Sequence, residues 1–144
     1  MPRDLQEPAV AVLREASASM APIIQVGDEL AVAWTLSSRP RRGAVVVYFD
    51  GRRVVAHRLI ATSGSRLRLK GDGNPDVDPP VEPARYCGEI IAVTRPDGSR
   101  LDLTSLRWRV AGWAIALVAR VPGSSGLRWV ASRALCHLAA RYLR

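Results

Sequence analysis

A chain of 144 residues carrying a formal net charge of +8 has room for one hydrophobic core and not for two. Its apolar fraction of 48% is that of a folded domain and excludes a disordered polar tract. The charge is unevenly placed: residues 104–144 hold seven arginines and no acid, so the first 103 residues are close to neutral and any basic surface belongs to the C-terminal third.

Taken in order, residues 1–16 carry charges at Arg3, Asp4, Glu7, Arg14 and Glu15 and no apolar run, which suits neither a signal peptide nor a spanning helix. The longest apolar run, Val110 to Ala119, contains Gly112 and is well short of the ~20 residues a bilayer span needs. A cytoplasmic or peripheral membrane location is expected. Leu5, Val10, Val12 and Leu13 predict a short helix over Asp4 to Ala16, interrupted by Pro8. Ser17 to Val26 reads as a loop, because Pro22 lacks the N–H of a central strand.

Strands follow. Glu29 to Leu36 is apolar, Ser37 to Gly43 is a polar turn, and Ala44 to Phe49 has the run of a buried strand. Asp50-Gly51 signals a two-residue hairpin, with the return strand over Arg52 to Ala61. Ser63-Gly64-Ser65 turns into the alternating Arg66 to Lys70. Gly71 to Pro83 is too rich in Gly, Pro, Asn and Asp for regular structure, and strands resume at Glu89 to Thr94 and Arg100 to Leu103. Short strands at this spacing predict a mainly β fold, a small coiled antiparallel domain over 1–103.

From Thr104, an expected N-cap, the period becomes helical. Leu106, Val110, Trp113 or Ala114, and Leu117 recur up to Arg120, and Val121 to Gly126 breaks the helix. Leu127, Val130, Ala131, Ala134, Leu135, Leu138 and Tyr142 mark a second, with Arg128, Arg133, His137 and Arg141 mostly off the stripe. Residues 104–144 are thus a basic amphipathic helical hairpin. It suits an anionic membrane surface, with Trp108, Trp113, Trp129 and Tyr142 at the interface, and equally a pair of helices packed on the sheet. Nucleic acid is the weakest partner, since no recognition motif accompanies the charge. Cys87 and Cys136 lack metal-ligand or CxxC spacing and read as buried or half-buried thiols. Cys136 and His137, adjacent on the last helix, are expected on a solvent or partner face.

A nucleophile is suggested by Ser19, set among small residues in Ser17-Ala18-Ser19-Met20-Ala21-Pro22 and followed by Gly27-Asp28. A serine hydroxyl needs a base to take its proton, and the candidates are His57, His137 and the only lysine, Lys70. Singly these are ordinary: a loop serine, a histidine on a strand, and aspartates at 72, 76 and 78 in a turn-rich loop.

Their order is not ordinary. Ser17 to Pro22, then Gly27-Asp28, His57-Arg58, Lys70-Gly71-Asp72-Gly73-Asn74 with Asp78, and the strand Gly88-Glu89-Ile90-Ile91-Ala92-Val93 resemble the S24/S26 serine peptidases. Within them the pattern is most similar to signal peptidase I of the archaeal and endoplasmic-reticulum type. The resemblance covers roughly residues 16–93. It implies that Ser19 is the nucleophile and His57 the general base, because bacterial-type relatives place a lysine where this chain has His57. Lys70 falls in the family's Lys-Gly-Asp motif, which is not the base position. Asp78 would be the third member that fixes the histidine tautomer, while Asp72 would organise the loop by pairing with Arg58. The Ser19 N–H and the Ser17 hydroxyl would receive the oxyanion. Met20 and Pro22 would shape the loop. No metal or cofactor is implied.

The substrate implied is an extended leader or signal peptide of a precursor, cut after small residues. A catalytically silent peptide-binding or assembly module on the same fold is the alternative. A self-cleaving regulator is disfavoured, since it requires a DNA-binding domain and a cleavable linker that the residues preceding Ser17 are too few to form.

Overall fold

The structure, a computed structural model, describes residues 10–34, 39–121 and 125–144. Apolar runs and alternating stretches bounded by turn residues form seven strands in one antiparallel sheet: β1 Val10–Arg14, β2 Glu29–Trp34, β3 Val45–Phe49, β4 Val54–Ser63, β5 Arg66–Lys70, β6 Tyr86–Thr94 and β7 Arg100–Asp102. Two helices follow, α1 Leu106–Arg120 and α2 Ser125–Tyr142. The strand order is β1-β2-β6-β3-β4-β5, with β7 also pairing β6. Register shifts interrupt the β2–β6, β3–β6 and β4–β5 ladders, and such bulges add the twist that coils a small sheet. The fold is therefore mainly β with two C-terminal helices.

Cross-strand partners share a face of the sheet, and the two faces have different covers. Val45 and Val47 look toward the main core, where Met20, Ile24, Leu30, Val32 and Ile90 meet Trp108 and Ile115 of α1 and Cys136 and Ala139 of α2. Val46 and Tyr48 look the other way, into a smaller cluster with Leu59, Leu67, Leu69 and Val81. The helices belong to the same core as the strands, so the change from strand to helix near residue 104 is not a boundary in packing. Among the described residues no helix is long and apolar enough to cross a membrane.

Several local expectations are corrected. Residues 10–14 form strand β1, paired with β2, rather than the end of a helix over 4–16. The ladder to β2 gives their backbone N–H and C=O groups partners that a two-turn helix broken by Pro8 does not; residues 4–9 lie outside the described part, as do residues 35–38 of the expected strand end and turn. The β3–β4 connection is a four-residue turn, not two, because Asp50 Oδ1 accepts the Arg52 and Arg53 N–H groups and Asp50 N–H donates to Arg53 O. Ser105, not Thr104, precedes α1; the Thr104 hydroxyl is held instead by the Asp102 carboxylate at 2.6 Å.

The helices decide between the two orientations left open for their apolar stripes. Most of the apolar residues whose period announced them face outward: Leu106, Val110 and Trp113 are exposed on α1, and Leu127, Val130, Leu138 and Tyr142 on α2, while Leu135 packs against the core. The buried faces carry Trp108, Gly112, Ile115, Ala116 and Ala119, and Ser132, Cys136 and Ala139. Cys136 is fully buried, in line with its reading as a buried thiol and against the solvent or partner face expected for it beside His137; the thiol is pushed up to about 12 by burial and then by the charge of Asp72, which makes it a poor nucleophile. Small residues stand beside Trp108 and Ile115 on the inner face because α1 touches the turn before β3 backbone to backbone. A Cβ on Gly112 would stand 2.5 Å from Gly43 O, and one on Gly43, where φ is +88°, 2.5 Å from Trp113 N.

This contact gives Gly112→Ala a diagnostic sign. Helix propensity alone favours alanine by about 1 kcal/mol, whereas overpacking against backbone costs about 1–3 kcal/mol. Thermal unfolding should show a lower Tm for Gly112→Ala; a higher one would mean that α1 does not approach Gly43 this closely.

Candidate active site

Successive residues of a strand point to opposite faces, so His57 and Arg58 on β4 are separated by the sheet. The register Val46↔His57 and Val45↔Arg58 puts His57 on the side of the smaller cluster and Arg58 on the side of the main core. Both are buried, and both are engaged by the segment that leaves the edge strand β5.

On the core side Arg58 is bidentate to Asp72: Nε donates to Oδ1 at 2.7 Å and Nη2 to Oδ2 at 2.6 Å, while Nη1 donates to Gly43 O at 2.7 Å. Burial alone would make the guanidinium easier to deprotonate, and the Asp72 carboxylate more than reverses that. The Asp72 N–H in turn donates to Met20 Sδ at 3.4 Å. On the opposite face His57 Nδ1 meets Asp78 Oδ2 in a short contact. Asp78 Oδ2 also accepts the Tyr48 hydroxyl at 3.3 Å, and the Tyr48 ring stands edge-on to the imidazole at 6.3 Å between centroids. Burial, followed by the Asp78 charge, raises the Tyr48 phenol above its ordinary value, so it stays a donor.

The same segment holds the serine loop. Gly73 N–H donates to Ser19 O at 2.8 Å. A Cβ at Gly71 would lie 2.6 Å from Ser19 O and one at Gly73 2.8 Å from Ala18 O, which is the local reason for glycine on either side of Asp72. At its far end the loop is clamped by Arg95, which pairs with the buried Asp28 and donates to Ile23 O at 2.7 Å. The Ala21–Pro22 peptide bond is cis, and Arg133 of α2 reaches Ala21 O at 3.5 Å. Gly27-Asp28 thus closes the loop as well as starting β2.

Ser19 itself is half-buried. Its Oγ lies 3.0 Å from Ser17 Oγ, which also accepts the Ser19 N–H at 3.4 Å. The structure therefore brings together Ser17 with Ser19, His57 with Asp78, and Arg58 with Asp72. Among the described residues no hydrogen bond joins Ser19 to His57. Asp76 is exposed, and His137 is exposed on α2.

Lys70 pairs in register with Arg58 and so lies on the core side, away from His57. Its Nζ donates to Gly71 O at 3.1 Å, and burial lowers it from the ordinary lysine value while Asp72 pulls it back. Among the described residues no group of three or more His, Cys, Asp or Glu side chains could hold a metal ion. Tyr48 was missed from sequence. Its signal was its place on β3, two residues from the one that pairs with His57, but that needs the register to be known.

In comparisons with known proteins, no family model, no curated protein and no solved structure matches this chain. Its chemistry is therefore read from the groups themselves. A histidine whose Nδ1 is held by a carboxylate, with a serine hydroxyl pair on a loop tied to the same segment, can accept and return a proton.

Removing one member of a buried ion pair leaves the other uncompensated, which costs about 3–5 kcal/mol. Asp72→Asn should accordingly lower stability by about that amount in denaturant unfolding. It should also increase proteolysis within 17–28 and 71–80 under native conditions; unchanged protection of both segments would show that the pair does not hold them.

Proposed function

We propose that this protein is a serine endopeptidase of the signal-peptidase type, with Ser19 as nucleophile, His57 as general base and Asp78 as the carboxylate that orients it. The observation that carries this reading is the contact of His57 Nδ1 with Asp78. With Nδ1–H donated to the carboxylate, the Nε2 lone pair is the one available to a substrate-side proton, and the imidazolium formed later is steadied.

The steps follow from that tautomer. On substrate binding, Ser19 Oγ turns from Ser17 Oγ to His57 Nε2, a rearrangement in keeping with catalytic hydrogen bonds that tighten only in the complex. Nε2 takes the hydroxyl proton as Oγ attacks the scissile carbonyl carbon. The oxyanion replaces Ser17 Oγ as the acceptor of the Ser19 N–H, and the Ser17 hydroxyl donates to it. His57 then returns the proton to the departing amine, leaving an acyl-serine that water hydrolyses with the same base. Tyr48 and Asp78 hold the ring through both transfers. The substrate is a leader or signal peptide of a precursor, taken as an extended strand along the sheet; its preference for small residues is carried by the family resemblance.

One observation favours the other reading, a silent peptide-binding module: Ser19 Oγ rests on Ser17 Oγ rather than on His57. Turnover of quenched fluorescent peptides with small residues before the cut separates the two. For an enzyme, Ser19→Ala and His57→Ala abolish turnover with the folded spectrum retained. Asp78→Asn, which favours the wrong tautomer, lowers it about 10⁴-fold. Lys70→Met stays within about tenfold, since a residue outside the proton path affects the barrier only through packing. Peptide binding without turnover, and without labelling of Ser19 by a serine-reactive probe, is the signature of the silent module. Loss in Lys70→Met as complete as in His57→Ala would reassign the base.

A further inference from the structure

An ordinary surface helix turns a mainly polar face to water; α1 and α2 turn apolar stripes to it beside their arginines. Along α1 and its C-cap, Leu106, Val110, Trp113, Leu117 and Val121 follow one another at steps of three or four, and all are exposed, Leu106 to 76% and Val110 to 57%. That stripe lies opposite Trp108, Gly112, Ile115 and Ala119, which face the core. On α2 the stripe is Leu127, Val130, Leu138 and Tyr142, exposed by 54–72%, opposite Ser132, Cys136 and Ala139. α1 packs on β4 and on α2, and the inner residues Trp108, Ile115, Cys136 and Ala139 of the two helices share one cluster with sheet residues. The two stripes are therefore on the outer side of one helical layer.

Charge selects what covers them. Arg107 and Arg109 flank the first turn of the α1 stripe on either side, Arg120 borders its end, and Arg141 lies over the Tyr142 ring at 5.5 Å. No acid occurs from 104 to 144. A second copy docked through this face would set arginine against arginine with no carboxylate between them, and like-charge juxtaposition is strongly disfavoured. Nucleic acid would use the guanidinium groups but leave the apolar stripes against phosphate. An anionic bilayer satisfies both: apolar side chains enter about 5–10 Å to the acyl boundary, guanidinium groups meet the lipid phosphates, and Trp113 and Tyr142 sit at the interface between them.

We propose that the outer face of the α1–α2 layer is a docking surface for an anionic lipid bilayer. The chain then lies on the membrane without spanning it, with α2 extending from the lipid face to the serine loop through Arg133 and Ala21.

Vesicle co-sedimentation of the full chain tests this without any substrate, so its outcome is independent of the peptidase reading. Vesicles of phosphatidylcholine alone are compared with vesicles containing about one-third phosphatidylglycerol, where each surface arginine gains from the negative potential. The protein should pellet with the anionic vesicles and not with the neutral ones. The doubles Val110→Ser/Leu117→Ser and Arg107→Gln/Arg109→Gln, all at exposed positions, should each weaken partitioning at least tenfold with an unchanged circular dichroism spectrum. The proposal is overturned by equal behaviour with both vesicle types, or by partitioning that follows charge but ignores the Val110/Leu117 substitution. It is equally overturned if the free protein is a dimer that this substitution splits and vesicle binding is absent, which would give the face to a second copy.

Discussion

A guanidinium and a carboxylate buried against each other, Arg58 and Asp72, are the constraint on which the rest of the molecule hangs. Arg58 is 4% exposed and Asp72 2%, and neither could stay charged there alone. With Gly43 O as a third partner, the pair locks the end of β5 to the middle of β4 and to the turn under α1. The backbone of Asp72 then reaches Met20, that of Gly73 reaches Ser19, and the chain needs only five more residues to bring Asp78 under His57. Geometry at the serine and at the histidine is set from one point.

The strands were legible because each short apolar run is bounded by Gly, Pro or Asp-rich turns, and the sheet follows from them. Residues 10–14 were not, since Val10, Val12 and Leu13 suit helix or strand equally and only pairing with β2 decides. The helices were placed well along the chain, but which side of each faces the sheet was left open. Periodicity measures spacing and carries no sign: it shows that an apolar stripe exists, not which way it faces. What fixes the direction is steric. Gly112 lets α1 meet the backbone at Gly43, with Ala116 and Ala119 on the same inner face beside Trp108 and Ile115; a Leu, Val or Trp at position 112 would hold the helix off.

At the site, residues whose partners follow directly along one segment were legible, and those joined only through register were not. His57 and Asp78 are distant in the chain but brought together by the β4–β5 hairpin, and their pairing was expected only through the family resemblance. Tyr48 depends on the β3–β4 alignment, which the four-residue turn after Phe49 determines. Lys70 illustrates the reverse. It is a buried amine of lowered proton affinity, close in sequence to the loop that touches Ser19, and the pleat puts it on the other side of the sheet from the imidazole.

The alternation of His57 and Arg58 makes the distance between β4 and the 71–78 segment a matter of parity. Moving this part of the strand by one residue would offer the imidazole to Asp72 and the guanidinium to Asp78, exchanging a proton carrier for a fixed cation. Moving it by two would keep the faces but carry both groups about 6–7 Å along the sheet, away from carboxylates that the edge loop holds still. Length change can therefore be absorbed at the Gly64–Ser65 tip, where a side chain on Gly64 meets nothing, but not between Lys70 and Asp78. Variation in this hairpin should be free in size at one end and fixed to the residue at the other.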